Sequence, residues 1–558
     1  MLKSRQDKIK QFLYSSVCLG LAGAGVISLL TLLIYSEFLR INMPKILSRS
    51  GVSLYHIEHY WTNDSFGKVR NFGLLASFLL ILLAIGLWLL RVKVFAGLNS
   101  VKYRLRRMLI IRLESKSTTF DNFSGLALLG SAVVVLLVAI FRLPIRCDEA
   151  GMYDGVCSSI LPLWAVAYIS PTNHVGYALF VWLGHFLWHD SIAGMRVFSL
   201  LAWILSVLIL SQIYFELFGR YSISLIAISM TTPLVMTLGV LARGYSLGSA
   251  LIYVALLMAL REGDHKDAIL AGVIGSFALW VVPSMLYGII LVAGVILWRQ
   301  WEDKKHAFRS SLWFVGTSIF GAMLLYMPIV LVSGLSSLIA NPYVRSRPWQ
   351  EISHEYGSWL MGLFISLFPN LIAVGGLLLV GVQAIFSKPS KRWIILALLP
   401  LVVFIFPLLQ RVLPPYRTLA YTTPLILIFW AGIRFQRMGT LYGSLALVGS
   451  LFIIWHGTGI VRNNVAGASD SAPDAARFLA GTQSNTVQTM SYDADYACLR
   501  FYLRRAGWNG SVEVSRTFDA PWVFESNFAE GVIPEGYQPT SVSGLYRIAP
   551  KVEPEPKR

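Results

Sequence analysis

The sequence predicts an all-α polytopic membrane protein with a small α/β domain at its carboxyl end. Three observations lead to this prediction: 56% of the 558 residues are hydrophobic, the mean hydropathy is +0.62, and only 14% of the residues are charged. A soluble domain contains about 25% charged residues, so this composition excludes a soluble chain. The net charge of +18 indicates basic cytoplasmic loops rather than nucleic-acid binding. Four cysteines in such a chain exclude a disulfide scaffold.

Long apolar runs account for the membrane-spanning part of the chain. A spanning helix needs about 20 apolar residues. Runs that reach or approach this length lie at 13–36, 72–92, 123–141, 196–218, 222–241, 244–261, 311–333, 358–383, 393–410, 416–434 and 439–459. Pro283 interrupts the apolar region 267–298, which therefore predicts two short helices that cross outward and return. The sum is about 13 transmembrane helices.

The distribution of basic residues predicts the orientation. Segment 91–116 is rich in Lys and Arg, so we expect it in the cytoplasm. Loop 334–357, the turn at 411–417 and the chain after about 460 are then extracytoplasmic. Segment 158–190 is apolar but broken by prolines and histidines, and predicts one or two interfacial helices on the outer surface.

Three domains follow from these elements. Residues 1–122 form two N-terminal transmembrane helices and a basic cytoplasmic loop. Residues 123–464 form the transmembrane core. In residues 465–558 charge rises and short alternating stretches such as SVEVSRTF appear, which predicts a small extracytoplasmic domain.

Charged residues are concentrated where the third span ends, in the segment FRLPIRCDEAGMYDGVC at 141–157. Asp148 and Glu149 either complement the first turn of a surface helix or provide a general base at the membrane boundary. In the second interpretation crowding raises the pKa of the base, and Arg146 and Asp154 position it.

Cysteines border the same segment. Cys147 and Cys157 would either form a disulfide that holds the acidic segment in an arch or remain two thiols.

Arginines in two outer turns are the second candidate feature. Arg243 in LARGYS and Arg411 and Arg417 in LLQRVLPPYRTLAY lie where the positive-inside rule disfavours them. They either extend to lipid headgroups or bind a phosphate through the planar guanidinium fork. Tyr245 and Tyr416 adjoin them and would add hydroxyl donors. Together with a base, they suggest a substrate whose phosphate is carried on a lipid.

Histidines in the interfacial segment leave a metal possible. His185 and His189 are four residues apart, which fits one helix face, and His174 precedes them. No carboxylate partner is evident, so interfacial packing is preferred, no metal ligand is assigned, and no cofactor is certain. Loop 334–357 would either close over a substrate or pack on the C-terminal domain. The candidate contacts of that domain with the outer cavity are Arg500, Tyr502, Arg504, Arg505 and Trp508.

The order of these elements resembles a known family. An outward span that ends in a DE motif and precedes interfacial helices resembles the opening of the GT-C fold glycosyltransferases. The likeness is to family 39, which includes protein O-mannosyltransferases and the lipid A aminoarabinose transferase. It extends through PTNHVGYALFVWLGHFLWHDSIAGMRVFSLLAWILSVLILSQIYFELFGR and LARGYSLGSALIYVALLMALR, that is, over about 123–300 and, loosely, over 393–434.

The resemblance implies an inverting transferase that moves a sugar from a polyprenyl-phosphate donor to a lipid, glycan or protein acceptor. The reaction would take place on the extracytoplasmic side of the cell inner membrane, in cell-envelope synthesis, without nucleic acid. The family's catalytic acid maps onto Asp148, with Glu149 as the second member of its DE pair. The substrate-binding candidates are Arg146, Asp154, His174, Arg243, Tyr245, Tyr416 and Arg417. The family's Pro-Pro-Leu-Tyr stretch is replaced by Pro171-Thr172-Asn173-His174, and two extra spans precede the core, so the acceptor and metal use stay open.

A different class of protein fits the same features. A non-catalytic lipid-sugar transporter or polysaccharide export subunit would also place charge at an outer vestibule. A transporter needs ionisable residues deep within its spans, and this sequence has few there, which favours the enzyme.

Overall fold

The structure is a computed structural model, and it describes most of the chain. The described residues are 2–41, 63–89, 91–109, 118–156, 174–188, 192–261, 264–335, 338, 346–368, 374–375, 378, 391–431, 439–465, 471–482, 485–489, 494–508, 510–514, 521–524, 537–541 and 545–548.

The N-terminal part consists of a helical hairpin and a basic helix. Helices α1 (Leu2–Ile34) and α2 (Asn63–Leu89) pack against each other, and α3 (Arg91–Leu109) follows. Within the hairpin the Tyr14 hydroxyl donates to the Leu87 carbonyl at 2.8 Å, and the Ser77 hydroxyl bonds Ser28 at 2.9 Å.

The core is a bundle of helices of unequal length. They are α4 (Thr119–Arg142), α5 (Cys147–Val156), α6 (Val175–Leu187), α7 (Ile192–Phe218), α8 (Ile223–Met230), α9 (Pro233–Leu238), α10 (Tyr245–Leu260), α11 (His265–Val281), α12 (Leu286–Arg299), α13 (Lys304–Ser333), α14 (Trp349–Leu367), α15 (Lys391–Gln410), α16 (Thr422–Ala431) and α17 (Gly439–Val465). Short 3-10 turns at Pro283–Met285 and Tyr416–Leu419 precede α12 and α16.

The polytopic all-helical prediction is confirmed, whereas the count of 13 spans is not. Among the described residues, seven helices are long and apolar enough to cross a membrane. They are Tyr14–Ile34, Phe66–Leu89, Thr119–Arg142, Ile192–Phe218, Lys304–Leu331, Trp393–Gln410 and Thr440–Val461. The break predicted at Pro283 is present, between α11 and α12.

Two sequence predictions about helix boundaries are wrong. The run 222–241 is not one helix, because Thr232 is extended and Pro233 starts a new short helix, α9. Residues 349–357 of the predicted loop 334–357 are helical, since α14 begins at Trp349 directly after Pro348. In both places a proline defines the start of a helix.

Helix α4 is joined to α8 by a buried carboxylate and a glycine. Asp121 accepts hydrogen bonds from the Ile223 N–H at 3.0 Å and the Ser222 hydroxyl at 3.2 Å, and so caps α8. One turn along α4, a Cβ at Gly125 would lie 2.5 Å from the backbone of Ile223. The two helices therefore meet backbone to backbone.

The two ends of α11 mark the two ends of the bundle. At its start, Arg104 of α3 pairs with Asp264 and Asp267 at 2.8 Å each. At its other end, Val281 lies against Gly244, beside Arg243. The 17 residues of α11 span about 25 Å, so the α3 ion pairs and Arg243 lie at opposite ends of the bundle.

The predicted α/β domain at the carboxyl end is confirmed. It contains α18 (Ala472–Ala480), α19 (Ala494–Arg505) and a sheet in the order β2 (Ser511–Val514), β1 (Thr486–Thr489), β3 (Trp522–Phe524), β5 (Leu545–Ile548), β4 (Tyr537–Pro539). Strand β1 is parallel to β2 and β3, and β5 is antiparallel to β3 and β4. Helix α19 makes the crossover between β1 and β2 that a parallel pair requires.

Gly125→Ala should destabilise the protein by about 1–3 kcal/mol, because the added methyl group must push the backbone of α8 away from α4. Gly130→Ala in the same helix is the matched control, since a Cβ there has no neighbour within 4 Å. The free energy of unfolding of the control should stay within about 1 kcal/mol of the parent value. Thermal unfolding midpoints of the purified proteins in detergent measure both effects; equal midpoints would contradict the close α4–α8 approach.

Candidate active site

The site is built around the segment that leads from α4 into α5, at residues 143–146. Arg196 of α7 donates to the carbonyl oxygens of Leu143 at 2.9 Å and Pro144 at 2.8 Å. The same guanidinium binds both carboxylate oxygens of Glu149, from Nε at 3.0 Å and from Nη2 at 2.6 Å. Arg196 thus ties the turn and the first turn of α5 to the core.

Glu149 is completely enclosed by donors. Its oxygens also accept the backbone N–H groups of Ala242 at 2.6 Å and Arg146 at 3.0 Å. Both Glu149 and Arg196 are 0% exposed. Burial opposes ionisation of Glu149, but the charge and hydrogen bonds of Arg196 outweigh it, so the pKa of Glu149 lies below its usual value.

The structure therefore separates the two acidic residues that the sequence grouped as catalytic. Successive residues of an α-helix point about 100° apart, so Glu149 enters the core while Asp148 faces Arg243 and solvent. The Asp148 side chain is 25% exposed. Glu149 is engaged on all sides within the protein, so its geometry is that of a residue that holds α5.

Two arginines converge on Asp148 from distant parts of the chain. Arg243, in the turn before α10, forms an ion pair with the carboxylate, and Nη2 of Arg417 lies 3.9 Å from Oδ2. Arg243 is nearly buried, whereas the Arg417 side chain is 30% exposed. The arrangement is a small, partly open patch in which one carboxylate faces two guanidinium groups.

Tyr245 lies between the two arginines. The guanidinium carbons of Arg243 and Arg417 lie 5.5 Å and 6.0 Å from the centre of its ring. Its hydroxyl accepts from Nε of Arg417 at 3.4 Å. Cation–π contact of this kind keeps both guanidinium groups beside the ring without neutralising them.

His174 holds Arg243 from the other side. Its Nε2 accepts a hydrogen bond from Nη2 of Arg243 at 2.9 Å, and its ring meets Tyr245 edge-on with the centroids 4.8 Å apart. Burial, followed by the charge of Arg417, lowers the pKa of His174 to about 3. The imidazole is therefore neutral at physiological pH and adds no positive charge to the site.

The turn that carries Arg243 is fixed by hydroxyl groups. The Ser199 hydroxyl donates to the Leu241 carbonyl at 2.5 Å and lies 2.7 Å from the Tyr177 hydroxyl. The Ser246 hydroxyl donates to the Ser199 carbonyl at 2.9 Å. These bonds link α6, α7 and α10, so the position of Arg243 depends on three helices.

Two other residues that the sequence singled out contact α14. Arg411 has a positive φ of 56° and places its guanidinium over Trp349, at 6.0 Å. Tyr416 packs on α14, where a Cβ at Gly362 would lie 2.2 Å from its hydroxyl. A hydroxyl donor from Tyr416 in the Asp148 site stays a prediction.

The remaining predicted residues either have a structural contact or lie outside the described residues. Arg146 contributes its backbone N–H to Glu149. The side chains of Asp154 and Cys147, together with Cys157 and His189, lie outside the described residues. His185 contacts Tyr153 at a centroid distance of 5.6 Å. In the part of the chain that the structure describes, no three His, Cys, Asp or Glu side chains come together as a metal site.

Arg196 is the residue that the sequence analysis missed. Its signal was a single arginine near the start of an otherwise apolar span, in IAGMRVFSLL. A charge in that position is expensive unless it is paired, and the DE motif contains its partner. Only the structure shows that the partner is Glu149 and not Asp148.

Comparison with known proteins gives a likeness at the level of structure only. No protein-family model matches the chain, and neither does any curated protein. Crystal structures of ArnT from Cupriavidus metallidurans are similar over 68% of this chain and 84% of theirs. The form bound to undecaprenyl phosphate has a TM-score of 0.47 and 11% identity, and the apo form a TM-score of 0.33 and 13% identity. Values this low do not assign the chain to a family, so the function is inferred below from the residues.

Glu149→Gln should destabilise the protein by about 3–5 kcal/mol, because it leaves the buried Arg196 guanidinium without its counter-charge. Glu355→Gln is the matched control, because the pair of Glu355 with Arg347 is exposed and contributes at most about 1 kcal/mol. Thermal unfolding in detergent measures both. A Glu149→Gln midpoint as high as that of the control would show that the buried pair does not hold α5.

His174 should make the protein less stable in acid. Its folded-state pKa of about 3 lies below the value of about 6.5 in an unfolded chain, so the unfolded state takes up the extra proton between these values. The free energy of unfolding should therefore fall as the pH drops from about 6.5 towards 3, by at most about 1.4 kcal/mol per pH unit.

His174→Gln should flatten that pH dependence, because glutamine keeps an acceptor for Arg243 but takes up no proton. The measurement is the unfolding midpoint at several pH values between 7 and 4. His354→Gln, a change at an exposed histidine, is the control and should leave the profile as in the parent. An unchanged slope in His174→Gln would contradict the prediction.

Proposed function

We propose that the protein is a membrane glycosyltransferase that moves a sugar from a polyprenyl-phosphate donor to an acceptor hydroxyl, with inversion and with Asp148 as general base. The observation that carries the proposal is the convergence of Arg243 and Arg417 on the partly exposed Asp148. A base beside two phosphate-binding groups is what such a transfer requires. The sequence resemblance to GT-C glycosyltransferases points to the same reaction.

The two arginines fit a phosphate leaving group. In the proposed step the acceptor oxygen attacks the anomeric carbon while the bond from that carbon to the phosphate oxygen breaks. Asp148 accepts the hydroxyl proton, and the polyprenyl phosphate leaves with the bonding electron pair. A single displacement of this kind inverts the anomeric centre. Guanidinium groups bind phosphate bidentately and stabilise the charge that develops on it.

Sharing of the arginines couples donor binding to the basicity of Asp148. A phosphate anion would compete with the Asp148 carboxylate for Arg243 and Arg417. Once the guanidinium groups turn towards the phosphate, less positive charge faces the carboxylate, so its affinity for a proton rises. The donor would thus convert Asp148 from an ion-pair partner into a base.

Neutral His174 suits this exchange. It accepts from Arg243 without adding a charge that would compete for the phosphate, and so guides the guanidinium through a hydrogen bond only. Tyr245 offers both arginines an aromatic face along which they can shift.

The separation of the basic helix α3 from the Asp148 patch supports an extracytoplasmic site. The basic helix α3 is paired with Asp264 and Asp267 at one end of α11, and the positive-inside rule favours the cytoplasm for that end. The Asp148 patch is at the other end, where the C-terminal domain also contacts the core. We propose the cell inner membrane as the location, with domains 1–122, 123–464 and 465–558 as the N-terminal pair, the core and the outer domain.

The position of charges favours an enzyme over a transporter. In the described spans the Asp, Glu, Lys and Arg side chains lie close to helix ends, as with Asp121, Arg196 and Glu216. A translocation pathway needs such groups near the middle of the membrane. The Asp148 patch instead lies at the surface of the bundle.

Asp148→Asn should lower turnover by about 10²–10⁴-fold, because it removes the base and keeps the shape. Its affinity for polyprenyl phosphate should be retained or increased, since the competing carboxylate charge is gone. The assay is release of polyprenyl phosphate by the purified protein from a polyprenyl-phosphate sugar with mixed acceptors. Near-normal turnover of folded Asp148→Asn would leave only a structural role for this residue.

Arg243→Gln and Arg417→Gln should each weaken donor binding by about 1.5–3 kcal/mol, the value of a charged hydrogen bond. Arg411→Gln is the matched control, because Arg411 comes from the same outer turn as Arg417 but lies over Trp349. Equilibrium binding of polyprenyl phosphate in detergent measures all three. An equal loss of polyprenyl-phosphate affinity in Arg417→Gln and Arg411→Gln would contradict a specific phosphate site.

A further inference from the structure

The C-terminal domain contacts the segment in front of α5 through two hydrogen bonds to one residue. The Tyr502 hydroxyl accepts the backbone N–H of Ile145 at 2.8 Å, and the Cys498 thiol donates to the Ile145 carbonyl at 3.5 Å. Tyr502 and Cys498 are four residues apart on α19, so they lie on one face of that helix. Ile145 itself is buried.

Aromatic packing extends the contact along α5. Phe501 meets Tyr153 edge-on with the ring centroids 4.9 Å apart, and Tyr153 in turn meets His185 of α6 at 5.6 Å. Helix α19 therefore touches both the segment that enters α5 and the second half of α5.

The backbone groups of residues 143–146 are divided between the core and the outer domain. Arg196 binds the carbonyls of Leu143 and Pro144, and Glu149 binds the N–H of Arg146. These core contacts do not involve the backbone N–H and C=O of Ile145. Helix α19 supplies the hydrogen-bond partners of both groups. Buried backbone groups need partners, so the segment is held in place only when both sides are present.

We infer that Tyr502 and Cys498 are positioning residues, which hold Ile145 and thereby set the distance of Asp148 from Arg243 and Arg417. Ile145 lies three residues before Asp148, and α5 begins two residues after Ile145, at Cys147. The two arginines belong to core segments, whereas the carboxylate sits on α5, a short helix that α19 packs against. The outer domain is thus part of the catalytic geometry, and this inference rests on the proposed function.

Two further observations fit this role. Burial raises the pKa of the Tyr502 hydroxyl, so the group stays protonated at neutral pH while its oxygen accepts from Ile145. The guanidinium carbon of Arg505 lies 5.8 Å from the centre of the Phe501 ring. This contact helps to keep the Phe501 side chain in place.

The test compares Tyr502→Phe with the parent by kinetics and by hydrogen exchange. The variant keeps the ring and loses only the oxygen. We expect kcat to fall by about 10- to 100-fold, the effect of a small misplacement of a reacting group. The affinity for polyprenyl phosphate should stay within about twofold of the parent, because Arg243 and Arg417 are held by core segments. Amide exchange in peptides that cover 143–150 should accelerate.

Matched variants separate positioning from general damage. Cys498→Ser keeps a donor for the Ile145 carbonyl and should behave as the parent, whereas Cys498→Ala should follow Tyr502→Phe. Tyr14→Phe, which removes a tyrosine hydroxyl bond in the distant N-terminal hairpin, should change neither kcat nor exchange at 143–150.

The possible failures are distinguishable. Unchanged exchange at 143–150 in Tyr502→Phe, or accelerated exchange with unchanged kcat, would overturn the positioning role. An equal loss of donor affinity and kcat would also overturn it, because it would place Tyr502 at the donor rather than behind Asp148. A parent protein without transferase activity would overturn the proposed function, while the exchange experiment would still decide whether α19 holds the segment.

Discussion

The buried ion pair between Glu149 and Arg196 is the interaction on which the site depends. Arg196 projects from the start of a spanning helix into a position with no access to water, where an unpaired charge would cost several kcal/mol. Glu149 supplies the counter-charge, and the remaining donors of Arg196 go to the carbonyls of Leu143 and Pro144. One guanidinium thus fixes the end of α4, the turn and the start of α5.

That pair also assigns different environments to two neighbouring acidic residues. Glu149 receives donors from three segments and stays ionised inside the protein, while Asp148 stands one residue earlier and reaches the open side. The helix rotation between them separates a group that maintains the structure from one that can meet a substrate. A DE motif at a membrane boundary therefore does not imply two catalytic carboxylates.

The described ion pairs of the bundle lie near its two ends, and at each end they join separate segments of the chain. At one end Arg104 and Arg107 fasten the basic helix α3 to Asp267. At the other, Arg243 and Arg417 meet Asp148, and α19 of the C-terminal domain binds the segment in front of it. Helices α4 and α8 approach each other at Gly125, one turn from Asp121, which caps α8. This distribution is what an apolar membrane interior demands.

Apolar run length and composition by themselves determined that the chain is a polytopic helical membrane protein with a small α/β domain at its end. Local pattern also predicted the break at Pro283 and singled out Asp148, Arg243 and Arg417. Only the tertiary structure decided the rest. It placed Glu149 and Asp148 in different environments and paired Glu149 with Arg196. It also placed the Tyr416 hydroxyl beside Gly362. It also brought Tyr502 to Ile145, 357 residues away in the chain. The physical reason is that run length and helix breaks are local properties, whereas the partner of a buried charge depends on which distant segments pack together.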